Sequence, residues 1–496
     1  MTTETGETGV IVIGTGPCAA AAASALAGRG ADVTVLESGT RRPRGLVVHA
    51  MGNTIARWMP TATMTNEGGF VADDDPRTTW YRALAQGGMS NHWTSAVPRF
   101  DPADLDEGTR LDECYRWPVS YDELVPHYEA AERLLDVTGP GVDLRHLPAN
   151  IVRHRAALPP SWGVVAERAG WMGHGFSVMP LARGPRWMFA LRGTEFNSYT
   201  EVIDPLAAAG RIDVRLGAHA TRLVWSPPAG RVTAVEYVDR ATRTTQQLRA
   251  AVVMVACGTV NTTRLLMRST SDDFPHGLGD VHDVLGRYLH DHPKEWWPFT
   301  VEPGIELPIL PLYMTRADHA ASAPLLSASW TIGLASGRDR LRTLVKGRGH
   351  RLGVQIFGTT VPEPSRRIRL ADGPGGELGE PPVAIDVRFT AAELANVHAA
   401  RERIRDVMAA AGFLTTPLVD PGDDQLFPGL SVHYGGTVRM HANPQLGMLD
   451  GTNRMHAVPN VYVVDMAAFT TGPEKNPTLT AMALASRAAH CVADAL

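Results

Sequence analysis

The residues best suited to chemistry lie at the two ends of the 496-residue chain. Near the start, the apolar run 10–13 leads into Gly14-Thr15-Gly16-Pro17-Cys18-Ala19. Gly14 permits a tight turn. Gly16 lets backbone approach a pyrophosphate, and Ala19, in the third-glycine position, keeps the following helix against its strand. That helix, a run of small residues over 20–28, would offer phosphates its free N–H groups and the positive end of its dipole. After Gly30 a second apolar run, 32–36, closes on Glu37. A carboxylate at this distance can accept from a ribose hydroxyl, and it would repel the 2′-phosphate of NADP. Strand, glycine turn, helix, strand and acid read together as one βαβ unit for a dinucleotide. The competing reading is a tight turn in an unrelated α/β fold.

The far end narrows the cofactor. Residues 460–464 form an apolar strand that ends in Asp465. A loop over 466–475 follows, then Asn476-Pro477 and a helix of small residues from Thr478. Many FAD enzymes close the flavin site with such a strand, acid and helix N-terminus, which can stabilise negative charge on a reduced flavin.

The elements that must position these groups can be traced along the chain. Residues 40–100 read as a long functional loop with two glycine pairs, Gly68-Gly69 and Gly87-Gly88. Residues 121–135 form an amphipathic helix with Ser120 as N-cap. Strands are expected over 212–216, 222–225, 232–238 and 248–256, after which Cys257-Gly258 breaks into a helix over 262–268. Residues 296–390 alternate like a sheet, as in 327–332, 353–357 and 383–389. A long helix is expected over 391–411. Residues 140–195 show no clean period.

Composition excludes several classes. Hydrophobic residues make up 44% and charged residues 20% of the chain, ordinary values for a globular protein of more than one domain. A net charge of −5 does not suit a nucleic-acid binder or a polybasic membrane anchor. Cys18, Cys114, Cys257 and Cys491 have neither metal-ligand nor redox spacing. No run reaches the length of a membrane span, and the polar, acidic N-terminus does not read as a secretory signal. A cytoplasmic protein that uses no membrane is the expectation.

Further segments carry a family resemblance. His433-Tyr434-Gly435-Gly436-Thr437-Val438-Arg439-Met440 resembles the HxxGTxxM motif of the glucose–methanol–choline (GMC) oxidoreductases. Trp117-Pro118-Val119-Ser120-Tyr121, Val255-Ala256-Cys257-Gly258-Thr259 and Leu285-Gly286-Arg287-Tyr288-Leu289 resemble other segments of that family. Within it, Gly87-Gly88-Met89-Ser90-Asn91-His92-Trp93-Thr94 and Asn476-Pro477-Thr478-Leu479-Thr480-Ala481-Met482 look like segments of the pyranose oxidase and bacterial glycoside oxidase branch. The likeness runs from residue 10 to 490. It is weakest over 140–195 and 296–430, where substrate-specific sequence is expected.

The resemblance implies a catalytic pair, His433 and Asn476, and FAD as cofactor. The chemistry is consistent with that. Oxidising an alcohol removes an O–H proton and a C–H hydride. A histidine can take the proton near neutral pH, flavin N5 takes the hydride, and a neutral amide can orient the hydroxyl. A packed core histidine and a helix N-cap are the bland readings of the two residues. His92 matches a histidine that is bonded covalently to the flavin in pyranose oxidases; a histidine beside the ring without a bond is the other reading. Gly87, Gly88, Ser90, Asn91, Trp93, Thr94, Cys257, Gly258, Asp465, Pro477 and Thr478 are the further cofactor contacts the resemblance implies, with Thr94 near N5. His290, Asp291 and His292 look like a metal cluster, but the neighbouring motif favours a structural turn. Trp187, Met188 and Phe189 suit core packing more than a stacking wall. Arg366-Arg367 and Arg338, Arg340 and Arg342 read as solvated faces.

The fold expected is α/β. A Rossmann-like FAD domain (1–135, 195–295, 428–496) is interleaved with a substrate domain on a mostly antiparallel sheet with helices (136–194, 296–427). The function expected is FAD-dependent oxidation of a sugar hydroxyl, a pyranose or glycoside secondary alcohol going to a ketone. Electrons would pass to O2 or another acceptor, and the oligomeric state is left open. The alternatives are oxidation of an amino sugar, at a primary alcohol, a non-redox lyase of the same family, and a non-catalytic flavin-binding protein.

Overall fold

The structure is a computed structural model. It describes residues 3–40, 65–66, 70–72, 78, 80–182, 196–301, 307–308, 310–318, 325–334, 348–349, 351–376, 378–413, 416–417 and 426–496. The segments 183–195 and 335–347, with Trp187, Met188, Phe189, Arg338, Arg340 and Arg342, lie outside the described residues.

Val10, Ile11 and Val12 are all fully buried. A strand covered on both faces is the mark of a parallel sheet with helices on each side. Thr3–Ile13 is the middle of a seven-stranded sheet. It pairs in parallel with Val33–Glu37 on one side and Thr245–Val255 on the other. Asp213–Leu216 extends the first edge. Ala218–Ser226 and Arg231–Asp239 form an antiparallel meander on the second. Val461–Val463 joins alongside Thr245–Val255 in parallel, so the end of the chain returns to its beginning.

The N-terminal helix Pro17–Gly28 packs on the C-terminal helix Thr478–Ala495. Ala19 to Ala23 are buried on one, Ala481, Ala483, Ala485, Ala488 and Ala489 on the other. Alanine favours helix and loses no side-chain entropy, and its small size lets the two axes approach. Tyr121–Leu135 covers the C-terminal helix from outside, with the expected Ser120 N-cap extended by Glu123 into a capping box.

A second sheet of six strands is antiparallel throughout. Its order is Thr416–Pro417, Lys294–Thr300, Arg351–Gly358, Ala328–Leu334, Leu312–Met314, Phe176–Val178. Ala391–Ala410 lies on it, burying Val397, Ile404 and Val407 against Ile332, Val354 and Ile356. The architecture is therefore the interleaved pair of layers expected from the sequence.

Four expectations need adjustment. Strand Val383–Asp386 is shorter than expected and leaves the second sheet, pairing with Arg367–Leu370 and Phe70–Ala72 in a small sheet of its own. The helix after Cys257-Gly258 starts at Thr259, because Gly258 turns the chain at φ +81°. The strand Lys294–Thr300 crosses the boundary drawn at 295/296. Arg366 is not on a solvated face; it is buried and paired with Glu393 at 2.7 Å.

The two layers meet at the segment 473–476. Ser327 and Ser329, at the start of a strand of the second sheet, donate to the Glu474 carboxylate (2.8 Å) and carbonyl (2.9 Å). Lys475 reaches the other way, to Asp104 at 2.5 Å, with Glu474 at 3.3 Å. Arg316 stands 3.4–3.8 Å from Asp101, Asp104, Glu107 and Glu474. Lys475, Arg316, Asp104 and Glu474 are at most 1% exposed at the side chain. Burial pulls the Lys475 pKa down, but the surrounding carboxylates outweigh it and keep the ammonium charged. All four cysteines are unpaired thiols. Among the described residues no helix is long and apolar enough to cross a membrane.

Removing one member of such a cluster leaves the others as uncompensated buried charge. Lys475→Met should lower stability by about 3–5 kcal/mol, measured by denaturant unfolding of the holoenzyme. A loss below about 1 kcal/mol, the scale of an exposed pair, would show that this pair carries little.

Candidate active site

The glycine turn folds as its sequence requires. Gly14 sits at φ +110°, and a Cβ there would come within 2.5 Å of the Ala256 carbonyl oxygen. Gly16 precedes the N-terminal helix with no side-chain cap, and a Cβ on it would meet no atom within 4 Å. The helix end therefore opens its N–H groups onto empty space. Pro17 follows in the first turn, where a missing N–H costs nothing. Ala19 is buried beneath the turn.

Glu37 ends its strand beside this opening. Its carboxylate accepts from the Thr15 hydroxyl and, at 2.5 Å, from the Gly39 N–H. Burial pushes its pKa up to about 7, with those two bonds opposing. The segment 87–94 docks on the same turn. The Gly87 N–H donates to Thr15 Oγ1 at 2.9 Å, and a Cβ on Gly88 would lie 3.6 Å from the Gly16 Cα. Both glycines have positive φ. A Cβ on Gly87 would strike the Asn197 amide at 2.6 Å.

A cavity of about 570 Å³ runs from this turn to His433 and Asn476. Gly14, Gly16, Glu37, Gly88 and Ser90 line its nucleotide end, and Cys257, Gly258 and Asp465 also stand in its wall. His92, Trp93, Thr94, Asn476 and Thr478 line it as well. Ala19, Gly87, Asn91 and Pro477 stand behind the wall rather than in it. Asn91 gives its amide to the Gln86 and Gly88 carbonyls, bracing the turn. Asp465 ties the last strand to the turn at 258, accepting from Gly258 N–H (2.9 Å) and Thr262 Oγ1 (2.5 Å).

His433 is held from every side. Its backbone N–H donates to Asp291 at 3.0 Å, and Val432 before it takes φ +63°, an outlier for a β-branched residue. Its ring stacks on Phe357, centroids 5.5 Å apart. Nε2 lies 3.3 Å from Asn476 Nδ2 and Nδ1 lies 3.4 Å from His292 Nδ1. An amide nitrogen can only donate, so Nε2 is the acceptor and the ring is neutral on that side. Burial lowers the His433 pKa well below its usual value, with His292 and Lys294 adding to the effect. Asn476 is not the helix N-cap: Pro477 holds that place, which leaves the Asn476 side chain to His433.

The triplet 290–292 divides its labour. Asp291 is fully buried and accepts from the N–H groups of Gly429 and His433 and from Ser431. The His290 ring fills the space where Cβ atoms on Gly435, Gly436 and Gly472 would lie. His292 stands beside His433. Among the described residues no His, Cys, Asp or Glu group is arranged to hold a metal ion.

Some lining residues were not singled out from the sequence. Gln355 and Phe357 share one face of the strand Arg351–Gly358, a period-2 signal that says nothing of which face meets a cavity. Lys294 lines the wall near His433. At the opposite end Glu380 receives Arg82 through two bonds of 2.9 and 3.1 Å and stands 3.0 Å from His219.

Two profiles described as GMC oxidoreductase match residues 12–294 and 362–485. A 2-methyl-1,2-propanediol dehydrogenase of Mycolicibacterium austroafricanum is 26% identical over 98% of this chain and 95% of its own. A paromamine 6'-oxidase of Streptomyces fradiae is 28% identical, covering 98% and 91%. A C-glycoside 3-oxidase of Microbacterium trichothecenolyticum is 28% identical, covering 82% and 75%. The solved structure of pyridoxine 4-oxidase from Mesorbium loti shares the fold, with TM-score 0.70, 18% identity and coverage of 98% and 99%. The chain belongs to the GMC oxidoreductases, a family of FAD-binding enzymes.

Proposed function

We propose that this chain oxidises a secondary hydroxyl of a pyranose sugar or glycoside to a ketone with FAD. The observation that carries the reading is the His433–Asn476 contact, 3.3 Å between Nε2 and Nδ2, on the wall of the cavity that begins at the nucleotide turn. The residues present fit FAD: Glu37 for a ribose, and the uncapped helix end at Gly16 for the pyrophosphate. When bound, the flavin supplies the hydride acceptor. The chain does the rest. Neutral His433 takes the hydroxyl proton at Nε2, and Asn476 donates to the same oxygen and aims it without competing as a base. In this reading residues 1–135, 195–295 and 428–496 hold the cofactor, and 136–194 and 296–427 supply the substrate side.

The likeness to a C-glycoside 3-oxidase supports a glycoside substrate. Lys294 beside His433 favours an uncharged sugar over a polycation. The second reading is an amino sugar oxidised at a primary alcohol; the likeness to paromamine 6'-oxidase, over almost the whole chain, favours it.

Anaerobic mixing of the yellow holoenzyme with sugars, glycosides and amino sugars tests both. Bleaching by neutral pyranoses or glycosides is expected, and air then separates oxidase from dehydrogenase. Bleaching by amino sugars alone selects the second reading. No bleaching by any alcohol puts the lyase reading first. His433→Ala should keep its FAD and lose at least ~10²-fold in flavin reduction; near-normal reduction would discard this base.

Protonation of His433 removes the base, and its burial holds that protonation to low pH. The rate constant for flavin reduction should therefore persist as pH falls through the ordinary imidazole value of about 6.5, and be lost only below it. An acid limb centred at or above that value would contradict the burial argument.

His92 is the residue we propose as a covalent flavin anchor. Acid-denatured wild type should then retain its yellow colour, and denatured His92→Ala should release it. Free FAD from denatured wild type would show that His92 sits beside the ring without a bond.

A further inference from the structure

A second histidine stands behind the base. His292 and His433 face each other through their Nδ1 atoms at 3.4 Å, rings at 78° and centroids 4.9 Å apart. One Nδ1 must donate and the other accept. The choice decides the chemistry, because a neutral imidazole has one N–H. If His433 keeps its proton on Nδ1, the lone pair of Nε2 faces Asn476 and the cavity. If the proton is on Nε2, the ring is a donor there and cannot take a proton from a hydroxyl.

The partners of His292 make the choice. It is fully enclosed, and burial pushes its pKa down to about 4, so it is neutral near pH 7. Its other hydrogen bond is to the backbone of Pro473. Proline has no N–H, so only its carbonyl can take part, and His292 must donate. The amide nitrogen of Asn476 on Nε2 leaves the one N–H of neutral His433 on Nδ1, and His292 receives it. Its Nδ1 is then a lone pair, which accepts from the Nδ1–H of His433. At the other end Asn476 Nδ2, 3.3 Å away, donates to Nε2. Every donor in the row meets an acceptor.

We propose that His292 is a positioning residue that selects the Nδ1–H tautomer of His433 and so presents Nε2 as the base. The row runs from the Asn476 amide through His433 and His292 to the Pro473 carbonyl, so both ends belong to one four-residue segment. That segment is the one pinned by Glu474 to Ser327 and by Lys475 to Asp104. When the base accepts a hydroxyl proton at Nε2, His433 becomes an imidazolium that still donates from Nδ1. No proton passes to His292. The charged groups that act on His292 are Glu474, which favours its protonation, and Lys294, which opposes it.

The proposal rests on His433 as the base, and its test separates the two. In 15N-labelled holoenzyme, two-bond proton–nitrogen correlation spectra report which ring nitrogen carries the proton. The His433 signals are those lost in His433→Ala. A protonated Nδ1 and a bare Nε2 are expected in the resting enzyme. His292→Leu should move the proton toward Nε2 and slow flavin reduction at least ~10-fold, a share of the ~10²–10⁴ that a general base contributes, at unchanged FAD content. His292→Gln can accept through its carbonyl and donate through its amide, so it should keep the tautomer and most of the rate. A protonated Nε2 in the wild type would overturn the proposal, whether or not His292→Leu folds. So would His292→Leu with unaltered tautomer and rate. The expected tautomers together with fast reduction by His433→Ala would remove the base assignment and overturn the catalytic part of this inference, leaving His292 as the residue that selects the tautomer.

Discussion

The structure turns on one buried cation. Lys475 sits between Asp104 and Glu474 with no access to water, in the residue before Asn476. An ammonium in that place is stable only if its carboxylates stay within hydrogen-bond reach. Asp104 belongs to the short helix Pro102–Asp106, which closes its own capping box with Asp101. Glu474 is held by serines of the second sheet. The ion cluster therefore joins three parts of the chain that share no backbone hydrogen-bond ladder. It sets the position of the amide that meets His433, because one residue cannot move without its neighbour.

A steric constraint completes the site from the other side. The His290 ring occupies the volume beside Gly435, Gly436 and Gly472, and any side chain at those positions would collide with it. Asp291 gathers the N–H groups of the loop that carries His433. His292 then faces His433. Three consecutive residues thus act in three directions, one filling space, one satisfying backbone, one meeting the reactive ring. A metal reading is natural from the letters alone, because His, Asp and His share a spacing with many ligand sets. Their partners exclude that use of Asp291, whose oxygens are already engaged.

This is also where legibility ends and why. The βαβ unit, the capped helix 121–135, the small-residue end helix and the antiparallel second sheet could all be read, since each rests on local period, capping or glycine geometry. The His433–Asn476 contact could be expected through a family motif. What could not be read were the contacts set by packing between distant segments. Nothing local to Arg366 marks it as buried against Glu393, and nothing local to Val383–Asp386 assigns it to a small sheet rather than the large one. Asn476 looked equally fit for an N-cap, and only the helix start at Thr478 releases its side chain. Lys475 gave no signal at all, because a lysine next to a motif is ordinarily solvated.

The walls of the cavity carry the remaining information. The nucleotide turn, the 87–94 segment and the His433 loop come from the parts of the chain where motifs are dense. Gln355, Phe357 and Lys294 come from the second sheet, and the first two from the stretch where resemblance to the family is weakest. A base and an orienting amide define a reaction type but accept many hydroxyl groups, whereas the side chains opposite them decide which hydroxyl arrives. Phe357 does both: it stacks on His433, fixing the plane of the ring, and it lines the cavity. A change at Phe357 would therefore move the His433 ring and the cavity wall together.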